Sequence, residues 1–187
     1  MQVKTLTLSG STLSNIKALS FAKDLVLVLI FAVLTGISAQ FKIEIGAVPI
    51  TMQTFVVLLS GILLGSKKGA ASQATYLFMG LSGLPWFARG GGLAYFLSPT
   101  FGYILGFVLA AFLTGLLVEK GWGKNIGTMI STLLVGEGAI YSLGLLWLYP
   151  FVGPEKLLIV GLYPFVVGEF LKLLLIIPFL RFSREKI

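Results

Sequence analysis

Glu169 and Lys172 stand three residues apart in the apolar stretch Leu157–Leu180, surrounded by Leu, Ile, Val and Phe. An ionisable side chain near the middle of a bilayer-spanning helix costs about 2.5–3.5 kcal/mol on insertion scales, so it is kept where a partner, a cavity or a ligand repays it. Residues at i and i+3 share a helix face. The two groups can therefore neutralise each other and still present one polar spot to whatever lies opposite, which makes them the leading candidates for substrate binding.

Glu137 is a second carboxylate inside an apolar run, with Tyr141 one helical turn further on. A protonated Glu137 bonded to the Tyr141 hydroxyl is one solution, and a proton relay is the sharper alternative. Gln53 and Thr51, just inside a predicted helix after Val48-Pro49, add neutral hydrogen-bonding groups.

The segment 83–99 is the only long connection between apolar runs. Pro85 and Pro99 bracket it, Gly90, Gly91 and Gly92 loosen it, and Trp86, Phe87, Tyr95 and Phe96 give it apolar area. This composition suits a lid over a pocket, and equally an aromatic belt with a flexible turn. Arg89, beside the glycines, offers a fork of donors to an anion or is an exterior loop charge.

The wider composition removes most other chemistry. With no Cys and no His, disulfides, thiolate nucleophiles, imidazole acid/base work and soft metal sites are excluded, and an enzyme is disfavoured. Neither Gly90-Gly91-Gly92 nor Gly65-Ser66-Lys67-Lys68-Gly69 fits a phosphate-binding P-loop, so ATP use needs a partner. No metal site and no resident cofactor are expected.

These residues are carried by a chain that is 57% hydrophobic and 11% charged, with mean hydropathy +0.99, which indicates a polytopic membrane protein in the lipid bilayer. Apolar runs predict six spans, at Leu25–Phe41, Thr51–Leu64, Ala70–Leu84, Pro99–Val118, Ile126–Tyr149 and Leu157–Leu180. Lys67, Lys68 and Gly69 separate the second and third closely enough for a tight helical hairpin. The expected fold is an all-α membrane protein, a six-transmembrane-helix bundle. Residues 1–24 form a cytoplasmic or interfacial lead, 25–182 the bundle, and 183–187 a cytoplasmic tail.

The net charge of +7 follows the bundle ends rather than a nucleic-acid surface. Lys4, Lys17, Lys23, Lys67, Lys68, Lys120, Lys124, Arg181, Arg184 and Lys186 fall on one side, against Lys42, Arg89 and Lys156 on the other. That asymmetry predicts both termini in the cytoplasm and no nucleic-acid partner. Ala32 and Gly36 form a small-xxx-small pair on the first span, a candidate docking face for another membrane protein, although packing within the bundle uses the same spacing.

Four stretches, in order, resemble the BioY family, the biotin-specific substrate-binding subunits of energy-coupling factor transporters. They are Val48-Pro49-Ile50-Thr51-Met52-Gln53-Thr54; Gly80-Leu81-Ser82-Gly83-Leu84-Pro85 with the glycine-rich loop and Pro99-Thr100-Phe101-Gly102-Tyr103; Ile140-Tyr141 with Gly144, Trp147 and Leu148; and Pro164-Phe165 with Gly168, Glu169 and Lys172. The resemblance spans about residues 25–182. It implies that biotin is bound as a transported ligand by Glu169, Lys172, Arg89, Gly90, Gly91, Trp86, Tyr95, Tyr103 and Gln53. It also implies capture at the exterior face of a prokaryotic cell membrane, with a transmembrane coupling protein and two cytosolic ATPases as partners. The chain departs from the family pattern at Glu169, where an Asp is usual, and at Gly90 and Ile104, where some members carry a polar residue and an Arg; Arg89 is the expected substitute cation. Two alternatives stand beside this reading: a self-sufficient proton-coupled carrier in which Glu137 and Glu169 titrate, and a binding subunit for another vitamin.

Overall fold

The computed structural model describes residues 10–44 and 46–176, with side chains from residue 17 onward. Six helices make up the bundle: α1 Gly10–Ser38, α2 Gln53–Leu64, α3 Ser66–Leu81, α4 Phe101–Glu119, α5 Ile126–Gly161 and α6 Tyr163–Ile176. Between α1 and α2, the two-residue strands β1 Lys42–Ile43 and β2 Ile50–Thr51 pair antiparallel. A 3-10 turn, Leu93–Leu97, lies between α3 and α4. The expected all-α six-helix architecture is present. Lys4, the basic residues after Leu180, the tail 183–187 and the last residues of the sixth run lie outside the described residues.

Among the described residues, three helical segments, Lys17–Ser38, Phe101–Glu119 and Ile126–Gly161, are long and apolar enough to cross a membrane. The 12-residue α2 reaches only about 18 Å. It stops at Gly65, whose φ of 83° turns the chain straight into α3. Lys67, Lys68 and Gly69 therefore open α3 rather than forming the connection. The first amides of α3 have no cap of their own, and Glu119 from the end of α4 supplies one, accepting from Ser66 N at 2.7 Å. Lys68 meets Asp24 at 2.6 Å, tying α3 to α1.

Two other boundaries differ from the apolar pattern. Thr51 belongs to β2 and α2 starts at Gln53. Leu157–Gly161 belongs to the end of α5, not to the last span; Gly153 (φ 71°, ψ 170°) between Pro150 and Pro154 breaks that helix internally, and Leu162 separates it from α6. Hydrophobicity alone does not mark the break at Leu162, because apolar residues continue on both sides of it.

The helix α4 is the centre of the bundle, with 61% of its apolar window buried against 17% for α1. Tyr76, Phe87, Phe101 and Phe107 fill the space around it. The inner edge of α1 carries Ala32, fully buried, and Gly36, where a Cβ would lie 2.7 Å from the Trp86 ring. The Ala32–Gly36 pair thus packs against its own chain, which corrects the expectation of an outward docking face. The exposed side of α1 bears Leu29, Ile30, Val33, Leu34 and Ile37 instead.

Candidate functional site

Glu169 and Lys172 project from α6 toward the start of α2, and both are more than nine-tenths buried. Lys172 Nζ donates to Glu169 Oε1 at 2.8 Å, to Thr54 Oγ1 at 3.0 Å and to the Thr51 carbonyl at 2.5 Å. An ammonium has three N–H donors, so all are engaged. Glu169 Oε1 also accepts from the Tyr141 hydroxyl at 3.2 Å, and Oε2 accepts from Thr54 at 2.7 Å. A full set of bonds is what makes a buried ion pair tolerable, since each charge otherwise bears an uncompensated desolvation cost.

A cavity of about 50 Å³ lies against Glu169, with Lys172 behind it. Its walls are Val48, Pro49, Thr51, Gln53 and Thr54 from the hairpin and α2, Ala88 and Tyr95 from the loop, Tyr103, Ile104 and Phe107 from α4, and Phe165 and Glu169 from α6. One carboxylate thus faces a largely apolar chamber. Glu169 can accept a hydrogen bond from an N–H donor there, while Ile104, Phe107 and Phe165 offer a surface to an apolar body.

The aromatic loop folds over this chamber as a packed structure. Phe87 is buried between Tyr76 and Tyr95, with ring centroids 5.3 and 4.5 Å away. Trp86 Nε1 donates to the Tyr76 carbonyl at 3.0 Å, and Trp147 Nε1 to the Ser98 carbonyl at 3.1 Å. Of the two uses open to this segment, its buried aromatics support a cover rather than an interfacial belt.

Three of the remaining expected residues line the chamber, with their polar ends committed elsewhere. Gln53 Nε2 donates to the Tyr76 hydroxyl at 2.7 Å and its Oε1 accepts from Thr51 at 3.1 Å. Tyr103 donates to the Gly161 carbonyl at 2.8 Å. The Tyr95 hydroxyl accepts from Thr100 at 3.0 Å.

Arg89, Gly90, Gly91 and Trp86 do not line the chamber. The Arg89 guanidinium meets Glu44 at 2.6 Å and donates to the carbonyls of Gly46 and Ala47 at 2.8 and 2.9 Å. It clasps the β hairpin instead of replacing a cation at the site. Gly90 exchanges backbone bonds with Phe87, and Gly91 sits so close to Leu84 that a Cβ would come within 2.1 Å of its carbonyl oxygen. Trp86 lies on Tyr76 and Gly36. These four shape the cover.

Thr54, Glu44 and Ala88 were missing from the sequence reading. Thr54 was detectable as a hydroxyl directly after Gln53 at the head of an apolar helix. Glu44 was detectable as the only acid in the hairpin connection opposite Arg89. Lys42 extends this clasp, 3.2 Å from Glu44 and also bonded to the Ala88 carbonyl. The Arg89 hydrogen bond, followed by that of Lys42, holds the Glu44 carboxyl below its ordinary range.

Glu137 is buried on α5. The expected bond to Tyr141 is not formed, because that hydroxyl is given to Glu169. Among the described residues no group of three or more acids, histidines or cysteines is arranged to hold a metal ion.

Residues 6–186 match the model of the BioY family. A probable biotin transporter BioY of Pyrococcus horikoshii is 43% identical over 141 residues, covering 75% of this chain and 83% of that protein. The biotin transporter BioY of Thermotoga maritima is 40% identical over 134 residues, covering 71% and 78%. The crystal structure of the S-component for biotin from an ECF-type ABC transporter superposes with a TM-score of 0.78 at 27% identity, over 96% of this chain and 95% of that one.

Proposed function

The chain belongs to the BioY family, and from that premise we propose that it is the biotin-binding S component of an energy-coupling factor transporter in a prokaryotic cell membrane. Family and fold are those of a transporter subunit. The observation that carries the ligand assignment is the buried Glu169 carboxylate, charge-balanced by Lys172, facing an apolar chamber under a folded cover.

Biotin suits this chamber chemically. Its ureido group has two N–H donors and a carbonyl acceptor, its thioether ring is apolar, and its tail ends in a carboxylate. Glu169 accepts from the ureido N–H groups, and its negative charge strengthens those bonds. Lys172 holds that charge in place; with its three donors engaged, it turns to the ligand only by giving up the Thr51 carbonyl or Thr54. Tyr95, Tyr103, Phe107 and Phe165 enclose the rings.

Pockets for ligands of this size hold about 300–1,000 Å³, so a chamber of about 50 Å³ is closed down. Capture therefore requires the loop around Ala88–Tyr95 and the hairpin to withdraw together, since the Arg89–Glu44 clasp joins them. Biotin is handled as cargo, with no resident cofactor. Both termini lie in the cytoplasm, and the loop end of the bundle faces the exterior. A transmembrane coupling protein and two cytosolic ATPases supply the energy that the chain's own sequence has no motif to harvest.

Calorimetry of the purified chain with biotin, thiamine and riboflavin tests the ligand assignment. Tight binding of biotin alone is expected. Preference for another vitamin would reassign the cargo.

A further inference from the structure

Glu137 has no place in the binding scheme above, yet it lies beside the pair that does the binding. Its side chain is 7% exposed, and among the described residues no donor reaches either carboxylate oxygen. The spacing of Glu137 and Tyr141 puts them on one face of α5, and the Tyr141 hydroxyl bonds Glu169 on α6.

The ionisable groups around Glu137 are few. Glu169 and Lys172 face it from α6, and Tyr141 lies on its own helix, with Tyr103 of α4 on the far side of Tyr141. The helix α2 contains no ionisable residue, and Glu119 of α4 is engaged with Ser66 at that helix's other end. Two carboxyl groups thus share one ammonium, and the three donors of that ammonium are already spent on Glu169, Thr54 and Thr51. An ionised Glu137 would be a buried charge with no donor. Glu169 is placed to bond it once one of the two acids supplies a proton.

We propose that Glu137 carries a proton and donates its O–H to Glu169, as a positioning residue that makes ligand capture proton-dependent. The two carboxyl groups then hold one negative charge, which Lys172 balances, and Lys172 keeps its bonds to Thr51 and Thr54. Loss of the proton adds a buried negative charge. That charge competes for the single ammonium and draws Lys172 away from Thr51 and Thr54, which loosens the Glu169 carboxylate that receives the ureido N–H groups, so affinity holds at lower pH and declines as pH rises.

The inference rests on the biotin reading, and the experiment separates the two. Biotin affinity of the purified full chain and of Glu137→Gln is measured from about pH 6 to 11, above the titration of the ligand's own carboxyl group and far enough into alkali to pass through loss of a strongly held buried proton. In parallel, infrared spectra of both proteins are compared at the carboxylic acid C=O stretch. The wild type should lose affinity with rising pH, approaching about tenfold per pH unit for a single linked proton. Glu137→Gln, which keeps a neutral donor and cannot ionise, should bind comparably at pH 6 and show a flat profile. Glu137→Leu, without a donor, should bind more weakly than Glu137→Gln at every pH. The wild-type spectrum at neutral pH should contain a protonated carboxyl band that Glu137→Gln lacks. A flat wild-type profile, a Gln variant that declines in parallel with it, or absence of the carboxyl band overturns the proposal. If the wild type binds no biotin at any pH, the ligand assignment fails, while the infrared band still reports whether Glu137 holds its proton.

Discussion

Lys172 is the residue on which the candidate site depends most, because its hydrogen bonds join α6 to Thr51 of β2 and Thr54 of α2 and fix the Glu169 carboxylate. Removing one member of a buried, bonded pair leaves the other uncompensated, so Lys172→Ala should weaken biotin binding by about 2–5 kcal/mol, measured by calorimetry on protein of normal helix content. Glu169→Gln should bind more weakly than wild type, since it loses the charge, whereas Glu169→Asp restores the usual family residue and should exceed Gln. An Asp variant weaker than Gln would mean that charge is not what reads the ligand. Thr54 links the two, donating to Glu169 and accepting from Lys172. Thr54→Val keeps the shape and deletes both bonds, with an expected loss of about 1.5–3 kcal/mol in binding.

At the scale of elements, the cover and the hairpin are joined twice, because Arg89 of the loop holds Glu44 and Lys42 of the hairpin donates to the Ala88 carbonyl, so the two should move as one body. Arg89→Ala should release them and raise the rates of biotin association and dissociation together in stopped-flow measurements, with little change in thermal stability. The pH sense follows from Glu44. Its carboxyl is held below the ordinary value of 4.5, chiefly by Arg89, so the clasp is intact above that value and is lost as pH falls through the lowered one. Dissociation rates that stay constant from neutral pH to about 5 and rise only in stronger acid would fit this, with the same acid step absent in Arg89→Ala. Gly36→Leu belongs here too. A side chain at this position collides with Trp86, which anchors the cover to Tyr76, so binding and transport should fall together. Loss of transport alone, with biotin affinity unchanged, would restore the docking role expected from sequence.

The same elements show how much was legible beforehand. The i, i+3 charge pair and the six apolar runs were readable because a charge in an apolar run and the length of that run are both local properties. The turn at Gly65 and the break at Leu162 were not, since apolar residues run up to both and only backbone conformation marks them. Arg89 was misassigned because a cation beside glycines looks available until its partner is located, and Glu44 lies 45 residues away in sequence. Small residues on α1 likewise do not reveal which side of the helix they occupy.

At the scale of the whole molecule, the proposed function divides capture by this chain from coupling by its partners. The chain alone should bind ligand, and ATP-dependent uptake should appear only when a coupling protein and ATPases are co-expressed. Uptake driven by a proton gradient without them would contradict this division. The most direct test of the central claim is biotin calorimetry on the isolated chain beside Lys172→Ala and Glu169→Gln, with folding checked by circular dichroism. The account predicts selective biotin binding by the wild type and markedly weaker binding by both variants. Wild-type affinity in either folded variant would show that biotin is held elsewhere.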